Sequence, residues 1–190
     1  PDPLSLSLLA GAKSRGANVF ELRAQGAPWW MTVSQNAAGN HDKPNLLQNR
    51  YRDYTNYVAG IAKRLTAMGY PISSVSVFEE STSPPQNNDF GPGPYDSDYG
   101  PNDFVPAVYN GQNLQANLLH QLRLSLNAVN LQNVPTVASN EPSPYTSYLS
   151  LKDYSASAWN DVGVVGAHGY TAKIGSGNDA LLRTLADTHG

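Results

Sequence analysis

The stretch SVSVFEESTSPP (Ser74–Pro85) joins a short apolar run to two adjacent glutamates, and the chain then enters a long Pro/Gly-rich segment. Five residues, Ser74 to Phe78, read as a buried strand, because β-branched and aromatic side chains suit a pleated surface. Glu79 and Glu80 stand where that strand comes to the surface. An apolar strand that surfaces onto carboxylates and a long loop is the pattern of a parallel sheet whose strand ends carry polar groups.

The pattern recurs on both sides. Leu4 to Arg15 reads as a helix stopped at Gly16, followed by the strand ANVFELR (Ala17–Arg23) and a loop containing APWWMTVSQNAAGN. Tyr51, Tyr54, Val58, Ile61, Leu65 and Met68 recur at three and four residues, which predicts one amphipathic helix ended by Gly69 and Pro71. Beyond the long loop, Glu79 to about Pro106, Leu114, Leu118, Leu122, Leu126 and Val129 mark another helix. VPTVAS is the third strand, ending at Asn140 and Glu141; Tyr148, Leu151, Tyr154 and Ala158 predict a short helix; VGVVGAH is the fourth strand, ending at His168; and 178–188 is a last helix.

Helices and strands therefore alternate from end to end, which predicts an α/β fold of parallel strands with outer helices. The four strands, near 17–23, 74–78, 134–138 and 162–167, are expected to be parallel neighbours in chain order. A nucleotide-binding open sheet would carry a Gly-rich turn after its first strand. LRAQGAPWWM is not GxGxxG, and no Walker-type motif occurs. A complete (β/α)₈ barrel needs about 250 residues and eight strands. The 190 residues fit either a small open α/β domain or the central part of a barrel, read as one segment, 1–190, without an internal boundary.

Composition narrows the function classes. The net charge is −3 with no Lys/Arg run, which disfavours a nucleic-acid partner. No apolar run approaches the roughly 20 residues that a membrane span requires, and no secretory pattern opens the segment. With no cysteine there is neither a disulfide framework nor a thiolate zinc site. Charged residues make up only 14%, against 16 Gly, 14 Pro and 11 Tyr, a balance that favours long polar and aromatic loops over a charged helical bundle. No Asn-x-Ser/Thr acceptor is present. The histidines show no paired-ligand spacing, and Asp96, Asp98 and Asp103 lack the order of a calcium loop, so no metal and no cofactor are assigned.

The residues of interest follow strand ends: Trp29 and Trp30 after the first, Glu79 and Glu80 after the second, Glu141 after the third, His168 and Tyr170 after the fourth. Taken singly, each has an ordinary explanation: a solvated or capping glutamate pair, packed tryptophans, a hydrogen-bonded structural histidine, a turn-capping Glu141. Their concurrence at four strand ends carries more weight, because sites in parallel α/β folds are built at that edge.

Here the sequence resembles glycoside hydrolase family 30, and most of all its endo-β-1,6-galactanase-like members, over nearly all 190 residues. The resemblance rests on FELRAQGAPWWMTVSQNAAGN, SVSVFEES and GAHGY, in that order. It implies strands three to six of a (β/α)₈ barrel and a retaining mechanism on a β-linked, galactan-like polysaccharide. Pro28, Trp29, Trp30 and Met31 match the aromatic segment after barrel strand three. Phe78 and Glu80 match the end of strand four, where the family's Phe-Asn-Glu-Pro supplies the acid/base, so the resemblance makes Glu80 catalytic. His168, Gly169 and Tyr170 match the segment after strand six. Trp29, Trp30, Glu79, Glu141, His168 and Tyr170 are the expected substrate contacts.

Two departures stand out. Glu79 and Ser81 occupy the places of the family's Asn and Pro, and the strand that supplies the nucleophile is expected outside these residues. Retaining hydrolysis needs two carboxylates about 5 Å apart. The rival reading is a catalytically degenerate carbohydrate-binding or cell-wall structural module, which Glu79 in place of Asn favours. On either reading the partner is a carbohydrate, the location extracellular or cell wall, and the open sheet edges are expected to be covered by the remaining barrel strands or a partner chain.

Overall fold

The computed structural model describes residues 2–35, 45–79, 108–109, 112–169 and 178–189. In chain order the elements are α1 (Pro3–Ser14), β1 (Phe20–Arg23), α2 (Tyr51–Ala67), β2 (Ile72–Ser76), β3 (Val108–Tyr109), β4 (Gln112–Asn113), α3 (Leu114–Ala128), β5 (Thr136–Glu141), α4 (Pro144–Leu151), α5 (Ala156–Trp159), β6 (Val164–Ala167) and α6 (Asn178–His189). The main sheet has the order β1-β2-β5-β6 with every pairing parallel, so the four expected strands are neighbours in chain order. β3 and β4 form a separate antiparallel pair just before α3, in the few residues between the long loop and that helix to which the sequence assigns no element.

Local chemistry sets the boundaries. Asp2 caps α1 by accepting from the Ser5 amide at 3.0 Å, and Pro3 occupies the first turn, where its missing N–H goes unneeded. α2 ends at Gly69, which takes φ +87° while the Tyr70 amide donates back to the Leu65 carbonyl at 3.0 Å. Only glycine adopts that left-handed stop without a Cβ penalty. β2 ends two residues earlier than its apolar run suggests. The Ser76 hydroxyl accepts from the Phe78 amide at 3.2 Å and donates to the Phe78 carbonyl at 3.0 Å, so a side chain replaces the ladder there. The single helix expected around Tyr148–Ala158 is two. Ser143 opens α4 in a capping box with Thr146, and Ser155 opens α5 by accepting from the Ala158 amide at 3.2 Å.

The core lies between the sheet and α2 and α3. Tyr54, Val58, Ala62 and Leu65 of α2 meet Leu118, Leu122 and Leu126 of α3 over Val75 and Ala138 of the strands, all buried. Each fully buried Leu or Val contributes about 1.5–3 kcal/mol. The two helices are also tied by a buried hydroxyl pair, Thr55 Oγ1 to Ser125 Oγ at 2.9 Å. β5 is buried at every residue, whereas β6 is exposed at both ends and half-buried at its two middle residues. The outer strands of the described sheet, β1 and β6, are flanked by exposed apolar side chains, Val19 at 72% and Val164 at 42%. α1 buries no residue, and Leu4 and Leu8 face solvent.

Candidate functional site

The C-terminal ends of all four parallel strands converge on one polar cluster. Arg23 closes β1, Glu79 lies just past β2, Asn140 sits near the end of β5, and His168 follows β6 directly. The Arg23 Nε lies 2.9 Å from Glu79 Oε2, and the Asn140 Nδ2 donates to the same oxygen at 3.1 Å. A second guanidinium nitrogen, Arg23 Nη1, is 2.9 Å from His168 Nε2, and that ring nitrogen is 3.9 Å from Glu79 Oε1. The Glu79 and His168 side chains are each 12% exposed, and Arg23 is 38% exposed. A carboxylate this sheltered needs charge and hydrogen-bond donors around it, and the cluster supplies both.

Asn140 reaches this cluster through an irregular strand. The ladder between β5 and β6 pairs Ser139 with Gly166 and then Glu141 with Ala167, leaving Asn140 as an extra residue. Ser139 and Asn140 take φ of 73° and 55°, a left-handed conformation that non-glycine residues rarely hold. The strained pair is a β-bulge, and bulges re-aim side chains. Ala138 packs in the helix-side core, and so does Glu141 three residues later, which strict alternation would forbid. The extra residue turns the Asn140 amide onto Glu79 and onto the Phe78 carbonyl at 3.2 Å. Gly166 makes room for it: a Cβ at that position would lie 2.9 Å from the Asn140 Oδ1.

The same bulge moves Glu141 off the rim. Its carboxylate is fully buried beneath the helices, where Oε1 accepts from the Gln115 amide of α3 at 3.0 Å and from the Ser150 hydroxyl of α4 at 3.4 Å. The Glu141 backbone also bears on the edge: its carbonyl accepts from the His168 amide at 2.7 Å and so places the histidine.

Trp29 and Trp30 form a 3₁₀ turn after β1 with Met31, opened by Pro28. Their rings meet edge to face, 5.8 Å apart at 87°, and they are 56% and 59% exposed. The turn is anchored from beneath: the Thr32 hydroxyl donates to the Trp29 carbonyl at 2.7 Å, and the Leu47 amide donates to the Met31 carbonyl at 3.0 Å. Two large indoles held open to solvent on an anchored turn form an aromatic surface suited to the apolar face of a ligand. Glu80 and Tyr170 lie outside the described residues. Arg23 and Asn140 belong to the cluster but were not singled out from sequence. Arg23 ends a strand and could have been read as an edge residue; the re-aiming of Asn140 had no local signal.

No family model matches the chain. It is 26% identical over 186 residues, 97% of its length, to an endo-β-1,6-galactanase from Hypocrea rufa, and it spans 35% of that protein. Among solved structures it matches the catalytic domain of GH30 xylanase C from Talaromyces cellulolyticus with a TM-score of 0.64 and 17% identity, covering 88% of this chain and 36% of that one. SrfJ from Salmonella typhimurium matches with a TM-score of 0.67 and 13% identity, over 96% of this chain and 36% of that one. At these identities the solved structures speak for the fold. The chain is similar over nearly its whole length to part of an endo-β-1,6-galactanase, its parallel sheet corresponds to part of a (β/α)₈ barrel, and it spans about a third of the length of the relatives it matches.

Proposed function

We propose that this chain is the central part of a retaining β-glycosidase acting on a β-linked, galactan-like polysaccharide. The observation that carries the reading is the convergence of four strand ends on Arg23, Glu79, Asn140 and His168, at the edge where barrel enzymes hold substrate. Glu80, next to Glu79, is the general acid that protonates the glycosidic oxygen and later the base that activates water. The nucleophilic carboxylate comes from outside these residues. Trp29 and Trp30 provide a sugar platform, Tyr170 and His168 line the subsite, and no cofactor takes part. The apolar flanks of β1 and β6 are covered by the remaining barrel strands or by a partner chain. A polysaccharide substrate entails action outside the cell or at a cell wall.

A second reading, carbohydrate binding without turnover, draws on one observation. Glu79 Oε2 is already engaged by Arg23 and Asn140 and so is less able to receive a sugar hydroxyl.

Turnover of β-1,6-galactan by the full-length protein tests the proposal, with Glu80→Gln as the diagnostic variant. General acid help is worth about 10²–10⁴-fold and matters only for poor leaving groups. The variant should lose most activity on galactan yet still form a glycosyl-enzyme from an activated aryl glycoside, which added azide intercepts. Silence of Glu80→Gln together with loss of turnover in Glu79→Gln would transfer the role to Glu79. Glycan binding with no turnover in the parent protein would leave the binding module.

A further inference from the structure

We propose that Arg23 is a positioning residue that locks His168 into a single tautomer and Glu79 into a single orientation, making the three side chains one charge-compensated unit. The meaning of that unit for glycan binding rests on the glycosidase reading above; the lock itself does not.

The inference follows from donor and acceptor chemistry. A guanidinium carries only N–H donors and does not deprotonate in proteins. Its Nη1 lies 2.9 Å from His168 Nε2, so that ring nitrogen must present a lone pair, and the imidazole hydrogen sits on Nδ1. A hydrogen on Nε2 would set two donors face to face, and with the His168 side chain only 12% exposed, little water could relieve them. The Nε edge of the same planar group meets Glu79 Oε2 at 2.9 Å. One rigid fork thus fixes two partners from different strands. A lysine ammonium, a single nitrogen on a flexible stem, has no such fork.

Asn140 completes the restraint on Glu79. Its amide donates to Oε2 from the side opposite in sequence, and the bulge that aims it is itself strained. Glu79 therefore has two donors on one oxygen, while its other oxygen lies 3.9 Å from the histidine ring. The arginine charge offsets the carboxylate, and the neutral imidazole adds none. Glu79 in this setting is not a stray acid at a strand end but half of an ion pair whose other half ends the neighbouring strand. The function that follows is presentation: a subsite floor whose polar atoms keep fixed directions before any sugar arrives.

The test is the nitrogen spectrum of the histidines in the ¹⁵N-labelled full-length protein at mildly alkaline pH, with His168→Gln used to assign the resonance. The parent should show a bare Nε2 and a protonated Nδ1 for His168. Arg23→Met, which keeps stem length and removes both donors, should lose that pattern, with the Nε2–H form appearing. Arg23→Gln serves as the second variant should the methionine form fail to fold. The pattern of His120, whose Nδ1 lies 2.8 Å from Asp161 Oδ2, should stay unchanged and reports an intact fold. A protonated Nε2 in the parent overturns the proposal, as does an unaltered His168 pattern in a folded Arg23 variant. Titration with a β-1,6-linked galacto-oligosaccharide is the separate arm, where Arg23→Met should weaken binding at least tenfold. A tautomer change without glycan binding by either protein supports the lock and overturns the glycosidase reading alone.

Discussion

Asn140 is the residue at which backbone strain and side-chain bonding can be separated experimentally. Its amide donates to the Glu79 carboxylate at 3.1 Å and to the Phe78 carbonyl at 3.2 Å, and its φ is 55°. A hydrogen bond to a charged acceptor contributes about 1.5–3 kcal/mol and one to a neutral carbonyl about 0.5–1.5 kcal/mol. Arg23 remains on the same carboxylate oxygen, so the loss of both amide bonds should fall near the lower sum, about 2–3 kcal/mol. Alanine also meets the left-handed backbone with a Cβ and without the local tolerance of Asn, adding about 1 kcal/mol. Asn140→Ala should therefore destabilise by about 3–4 kcal/mol. Asn140→Gly loses the same bonds but not the backbone compatibility, and should be milder by about 1 kcal/mol. Asn140→Asp keeps the shape but sets a second carboxylate against Glu79 and should be the most damaging of the three. Urea unfolding followed by tryptophan fluorescence and extrapolated linearly gives the three values. An order with aspartate mildest, or all three within about 0.5 kcal/mol of the parent, would refute this account of the bulge.

Gly166→Ala reaches the same amide from the opposite strand. Its Cβ would stand 2.9 Å from both Asn140 Oδ1 and Val137 Cγ1, so the substitution should destabilise by about 1–3 kcal/mol and be less than additive with Asn140→Ala in a double-mutant cycle. Full additivity would separate the two sites. Trp29→Ala and Trp30→Ala remove rings that are 56% and 59% exposed, so each should change unfolding free energy by only about 0.5–1 kcal/mol while weakening retention on a galactan affinity gel. Unchanged retention would exclude the aromatic turn from the glycan surface.

Periodicity and punctuation carried most of the fold. The α2 stripe, the glycine stop at Gly69 and the four apolar runs required only local propensity and hydrophobic spacing, and the structure has those elements in that order. Boundaries slipped where a side chain intervened: Ser76 ended β2 early by bonding Phe78, and Ser155 split one expected helix into two. The Val108–Tyr109 and Gln112–Asn113 pair is too short for a period to register.

What the sequence by itself determined was the α/β class, the parallel order of the sheet and the position of Glu79 and His168 just past strand ends at its C-terminal edge. The edge composition follows from where each apolar run stops, and that is a one-dimensional property. Which polar residues face one another was decided only by tertiary structure. Regular alternation along TVASNE would have turned Glu141 toward the site and Asn140 away from it. One bulge reversed both, and nothing local in that stretch announces it. Its stability depends on contacts distant in the chain, 61 residues to Glu79 and 26 to Gln115, and on the absence of a side chain at Gly166. Arg23 likewise meets His168 across 145 residues, a pairing that exists only because parallel strands bring their ends together in space.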